Sequence, residues 1–173
     1  IHDLNADWIM TSSEMREFDR SVRLSIEAIG RLGGVELEDV TILLADDFPP
    51  REDANAFTNV AALTKAVNDG ECRIIVYLVG PASRPEYAAW LLAHEIFHCV
   101  QAANLTEAQL ATSGGLGEGE GGDWWLEGTA NWFAAFAIPE IGPMRQFTEV
   151  FDDNSPTTSL NRMSYGTVVF FLW

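Results

Sequence analysis

The sequence predicts an α+β fold, and three features carry that expectation. Two short β-branched runs, "VTILLADDF" (40–48) and "CRIIVYLVG" (72–80), sit among stretches whose apolar residues recur at helical spacing. Both runs lie in the first half of the chain, whereas the second half reads as mainly helical. A length of 173 residues is enough for one domain with a sizeable core and short for two, so a single domain spanning 1–173 is expected.

The first helix is predicted over 14–32. Met15, Phe18, Val22, Leu24, Ile26 and Ile29 recur at mostly helical intervals, and Gly33-Gly34 stops the pattern. Strand 40–48 closes on acids and Pro49-Pro50, and strand 72–80 is entered through Asp69-Gly70. Between them, "REDANAFTNVAALTKAVN" (51–68) fits either a loop with a helix or a further strand. Ser83-Arg84-Pro85-Glu86 has the form of a capping box, with proline inside the first turn where its missing N–H costs nothing. The helix that starts there runs through Trp90 and His94 to about Ala103, and its apolar residues go nearly all the way round, as in a helix buried on most sides.

A glycine-rich connector is expected within 104–122, since "TSGGLGEGEGGD" has little with which to pack. Asp123 caps a further helix, "WWLEGTANWFAAFA", which ends at Pro139. The chain thus divides into 1–103 (helix, sheet and central helix), the 104–122 loop and a helical part over 123–173. "YGTVVFFLW" stops at Trp173 inside an apolar run with no polar closing turn, so a continuation or another covering element is expected there.

Composition narrows the classes of partner. With 26 acidic residues against 10 basic ones, a net charge of −16 repels phosphate backbones and anionic lipid, and nucleic acid is not an expected partner. No uncharged stretch reaches the roughly 18 residues of a membrane span, so no membrane insertion is expected. Ile1 has no charged and apolar leader before it, so a signal peptide is expected to be absent or removed. Cys72 and Cys99 permit one disulfide without demanding it, and their spacing matches no zinc knuckle.

The chemistry concentrates in "WLLAHEIFHCVQ" (90–101), where two of three histidines flank a glutamate. Residues four apart share a helix face, so His94 and His98 can reach a common point, while Glu95 lies about 100° round from His94. Burying three such groups without a compensating ion is expensive. Zn²⁺ accepts neutral imidazole nitrogens and lowers the pKa of a water it holds, after which a carboxylate can take the proton. His94 and His98 are therefore candidate ligands and Glu95 a candidate base. Cys99 faces away from the pair and is expected in the core.

A catalytic zinc needs a third protein ligand. His2 lies at the extreme N-terminus, and Gln101 stands where a turn leading to a third histidine would need glycine. Among Glu107, Glu118, Glu120, Asp123 and Glu127, only Glu127 is embedded in an apolar helix, flanked by Trp124, Trp125 and Leu126. On the same helix, Gly128 and Ala130 leave room for close approach to the helix of His94. Asn131, one turn after Glu127, is placed to orient a ligand histidine.

His94-Glu95-Ile96-Phe97-His98 followed by Trp124-Trp125-Leu126-Glu127-Gly128-Thr129-Ala130 resembles the gluzincins, the zinc metallopeptidases that include thermolysin and the alanyl-type aminopeptidases. The resemblance spans 94–130 in its specific part. It implies a zincin-like catalytic domain, a small mixed sheet on the active-site helix, and zinc held by His94, His98 and Glu127. It also implies a strand able to pair with an extended peptide. The run 72–80 is one candidate for that edge, although it fits a central strand equally well. Tyr165, before an apolar helix, is similar to the tyrosine that supplies the oxyanion donor in the aminopeptidase group. No Gly-x-Met-x-Asn segment of the kind that grips a free amino terminus is present, and the glycine-rich loop lengthens the gap between His98 and Glu127.

The function expected from these residues is a zinc-dependent peptidase acting on peptide or protein substrates, secreted or otherwise extracytoplasmic. Two alternatives share the site: a metal-stabilised binding or scaffold domain, and a gluzincin-like hydrolase of a non-peptide bond.

Overall fold

The computed structural model describes residues 2–3, 12–45, 62–67, 71–77, 85–113, 124–140 and 144–172. Among the described residues, four strands form one mixed sheet in the order β1-β2-β4-β3: β1 (His2–Asp3), β2 (Asp39–Ala45), β3 (Ala62–Val67) and β4 (Glu71–Tyr77). β2 runs parallel to β1 and β4, whereas β3 is antiparallel to β4, with Val67 opposite Glu71 and Ala62 opposite Val76. The ambiguous stretch before Glu71 thus contains a strand. β4 lies between β2 and β3, so the candidate peptide-pairing run is a central strand as far as Tyr77, and among the described residues β3 is the last strand of the sheet.

Alternation decides which sheet face is covered. Cys72, Ile74 and Val76 of β4 are buried beside Ile42 and Leu44 of β2, while Glu71, Arg73 and Thr41 join in a polar cluster through Thr41 Oγ1 to Glu71 at 2.9 Å and Arg73 to Glu71 at 3.0 Å. The covered side faces the helices, since Cys72 is disulfide-bonded to Cys99 of the central helix with a Cα–Cα distance of 5.7 Å. Closing this loop removes freedom from the unfolded chain and contributes roughly 2–4 kcal/mol. The bond settles the state of the two cysteines and leaves Cys99 in the core, as expected.

Helix α1 (Ser12–Leu32) ends at Gly33 and Gly34, both at positive φ, which a residue with a Cβ adopts reluctantly. Its buried stripe differs from the purely apolar one. Phe18, Ser21, Ser25, Ala28 and Ile29 are buried, whereas Ile26 is 53% exposed. The small residues allow close contact with the central helix, and Ser21 donates to the carbonyl of Ala89.

The central helix α2 (Pro85–Asn104) packs against α1, β3, β4 and α4 (Trp124–Ala137), which explains its apolar circumference. Between them lies α3 (Glu107–Ser113), a helix inside the span read as a glycine-rich loop. A capping box explains it: Thr106 Oγ1 accepts from Gln109 N–H at 3.3 Å, and Gln109 Oε1 accepts from Thr106 N–H at 2.8 Å. The caps proposed for Ser83 and Asp123, the turns at 49–50 and 69–70, and the glycines from 114 to 122 lie outside the described residues.

After α4 come α5 (Met144–Asn154), single 3-10 turns at Leu160–Arg162 and Tyr165–Thr167, and α6 (Val168–Phe171). The turn at 165–167 and α6 rest on α4. Gly128 makes that approach possible. A Cβ there would sit 2.2 Å from Thr167 Oγ1 and 2.7 Å from Phe171 Cε2, so its space serves this C-terminal segment rather than the helix of His94. No described helix is long and apolar enough to cross a membrane.

Candidate metal centre

Helix α2 carries His94 and His98 on the side that meets α4, and α4 brings Glu127 against them. The two imidazole Nε2 atoms are 3.0 Å apart, and Glu127 places Oε2 3.1 Å from that of His94 and Oε1 3.6 Å from that of His98. One donor atom from each of the three residues lies within 4.8 Å of the others, so the cluster can hold a metal ion. His94 is buried, and His98 and Glu127 retain only slight exposure.

Buried amides set the tautomer of each ring. Asn131 Nδ2 donates to the carbonyl of Tyr165 at 3.2 Å, which turns Oδ1 towards His94 Nδ1 at 2.8 Å. Gln101 Nε2 reaches the Leu126 carbonyl at 3.0 Å and Thr129 Oγ1 at 2.8 Å, which turns Oε1 towards His98 Nδ1 at 2.6 Å. An amide oxygen only accepts, so both Nδ1 atoms donate and both neutral rings present Nε2 lone pairs.

Lone pairs facing each other at 3.0 Å, beside a carboxylate, call for a positive charge between them. Glu127 Oε2 is buried without a hydrogen-bond partner, a costly condition that a cation would relieve. In the metal-free protein a proton serves. Burial opposes charging His98, but the hydrogen bond and charge of Glu127, with the charge of Glu95, raise its pKa to about 9. For Glu127, burial favours the neutral form, yet His94 and His98 together hold its carboxyl well below the usual range. Two imidazoles and one carboxylate are a fitting donor set for a divalent ion of the zinc type.

Glu95 is buried on α2, next in sequence to His94, and is not one of the three converging donors. Tyr165 lies with its ring centroid 5.9 Å from that of His94, and its side chain is about half exposed. The structure therefore brings Tyr165 and Asn131 to the same place as the three ligand candidates, with Asn131 linking His94 to the Tyr165 backbone.

Gln101 and Thr129 are the participants that sequence reasoning missed. Gln101 stands three residues after His98, a spacing that puts both side chains on one face, and that signal was sufficient to nominate it. Thr129 had no comparable signal, because its contact with Gln101 exists only once α4 packs on α2.

No family model, curated protein or solved structure matches the chain.

Proposed function

We propose that the chain is a zinc-dependent peptidase of the gluzincin kind. The observation that carries this reading is the convergence of His94, His98 and Glu127 with Glu95 beside them on α2, in the order HExxH then glutamate. A bound zinc ion supplies a Lewis acid that polarises a carbonyl and acidifies water.

The residues divide the remaining work. Asn131 and Gln101 hold the ligand rings in one tautomer and orientation. Glu95 takes a proton from the water that adds to the peptide carbonyl carbon, and returns it to the amide nitrogen as the C–N bond breaks. Tyr165 donates to the carbonyl oxygen as negative charge builds there. β3, the last strand of the sheet among the described residues and in contact with α2, offers its backbone to an extended peptide. The Cys72–Cys99 disulfide favours an oxidising, extracytoplasmic setting.

Cleavage of a mixed-sequence peptide library by zinc-loaded wild type and Glu95→Gln, followed by mass spectrometry, tests the proposal. Wild type should cut peptide bonds, and Glu95→Gln should keep its zinc while losing roughly 10²–10⁴ in rate. A zinc-loaded wild type that cuts nothing, or a Glu95→Gln variant of undiminished activity, would refute it.

A further inference from the structure

The turn that carries Tyr165 lies along one stripe of α4. Trp124, Gly128 and Asn131 stand at i, i+4 and i+7, and each of them meets it. The Trp124 carbonyl receives the Thr167 hydroxyl at 2.6 Å, and its ring stacks on Phe171. Gly128 leaves the space that Thr167 and Phe171 fill, and Asn131 Nδ2 donates to the Tyr165 carbonyl at 3.2 Å. Of these three residues only Asn131 continues to a ligand candidate, because its Oδ1 lies 2.8 Å from His94 Nδ1.

The amide of Asn131 is the informative choice. A carboxylate would hold the Nδ1–H of His94 at least as well, and carboxylates are common partners of a metal-ligating imidazole. A carboxylate only accepts, however, and here it would set an anionic oxygen against the Tyr165 carbonyl. An amide accepts at one end and donates at the other. Asn131 is 0% exposed, so water substitutes at neither end. The Tyr165 carbonyl also accepts from the N–H of Val168, so Asn131 acts at the junction between the turn and α6.

A cation on Nε2 makes the Nδ1–H of the same ring a stronger donor. The sequence His94 N–H, Asn131 C=O, Asn131 N–H, Tyr165 C=O polarises in one direction, so each bond strengthens the next. Coupling of this kind is reciprocal: an ion that tightens the turn is itself held more tightly while the turn is in place.

We infer that Asn131 is a positioning residue through which zinc binding and the seating of the 164–172 segment on α4 reinforce each other, so that the ion and Tyr165 are fixed relative to one another. The inference rests on the zinc-binding part of the function proposed above and is read without peptide cleavage.

The test compares wild type, Asn131→Ala and Asn131→Asp. Hydrogen–deuterium exchange with and without zinc chloride reads the segment, and competition with a chelator reads the affinity. In wild type, zinc should slow exchange across 164–172 about fivefold more than across β2, a comparison that separates local coupling from a general gain in stability. Asn131→Ala cuts the link at both ends, so it should lose the extra slowing and weaken zinc about 10- to 100-fold. Asn131→Asp restores the acceptor for His94 but not the donor for Tyr165. Its zinc affinity should return to within about tenfold of wild type while the extra slowing stays lost. Damage to packing alone would lower both together.

Equal slowing of 164–172 and β2 in wild type, or extra slowing that survives in either variant at saturating zinc, would overturn the inference. Each variant decides against wild type, so a folding failure in one leaves the test intact. If wild type binds no zinc, the inference and the metal reading fall together. If the coupling is present and no peptide is cut, the inference stands and the peptidase reading falls; if peptides are cut and the extra slowing is absent, the reverse holds.

Discussion

Gln101 Oε1 lies 2.6 Å from His98 Nδ1, while its amide nitrogen is held by the Leu126 carbonyl and Thr129 Oγ1 of α4. One buried side chain thus orients the His98 ring and ties α2 and α4 together. Gln101→Leu removes both functions and leaves the Nδ1–H of His98 without its acceptor. Zinc affinity should fall 10- to 100-fold, with a stability loss of about 1–3 kcal/mol. Competition with a chelator of known affinity, together with urea unfolding, measures both, and unchanged affinity would contradict the assigned role.

A metal ion held by His94, His98 and Glu127 would compete with a proton for His98. Without the ion its pKa is about 9, because the Glu127 hydrogen bond and charge outweigh burial. The folded value is raised above the ordinary 6.5, so the stability that charged His98 contributes to the metal-free protein is complete below about 6.5 and lost as pH rises through about 9. Zinc bound at this cluster would have to displace that proton. Its apparent affinity should therefore increase about tenfold per pH unit across the neutral range and level off near pH 9. Chelator competition at a series of pH values checks this, and a flat profile between pH 6.5 and 8.5 would count against it.

Gly128→Ala tests the contact between α4 and the Tyr165 segment. The added Cβ would lie 2.2 Å from Thr167 Oγ1, and Thr167 cannot yield easily, because it is fully buried with its hydroxyl 2.6 Å from the Trp124 carbonyl and 2.7 Å from that of Ser164. Overpacking of this kind costs about 1–3 kcal/mol. A lower midpoint in urea with an unchanged slope is the expected result.

Tyr165→Phe keeps the ring beside His94 and removes the hydroxyl. With Tyr165 as oxyanion donor, kcat should fall roughly 10²–10³-fold at unchanged zinc content. A variant with wild-type kcat would assign the hydroxyl no part in the reaction.

The site was legible in the sequence to the extent that its signals were local. His94, Glu95 and His98 announce themselves by helical spacing, and Glu127 by standing alone among apolar neighbours. Asn131 was nominated because one turn separates it from Glu127, and the structure seats it on His94. Strand cores and the two long helices followed from periodicity, since burial on one face or all round leaves a pattern in the chain.

Features that depend on how distant elements meet left weaker traces. Strand order is one: nothing local in "CRIIVYLVG" separates a central strand from an edge, and only pairing with β3 decides it. Gly128 read as room for the helix of His94, but the same small residue serves whichever element arrives, and that element is the turn at Thr167. On α1 the buried stripe runs through Ser21 and Ser25, invisible to a search for apolar residues because close helix contact selects for size. α3 had a readable signal in Thr106 and Gln109 that the neighbouring glycines obscured.

The most direct measurement of the central claim is the zinc content, by atomic emission, of wild type and Glu127→Ala after dialysis against metal-free buffer near neutral pH. Wild type should retain about one zinc per chain and Glu127→Ala almost none, since two imidazoles alone hold the ion weakly. A wild type that retains no zinc, or a Glu127→Ala variant that retains as much as wild type, would contradict the assignment of His94, His98 and Glu127 as its ligands.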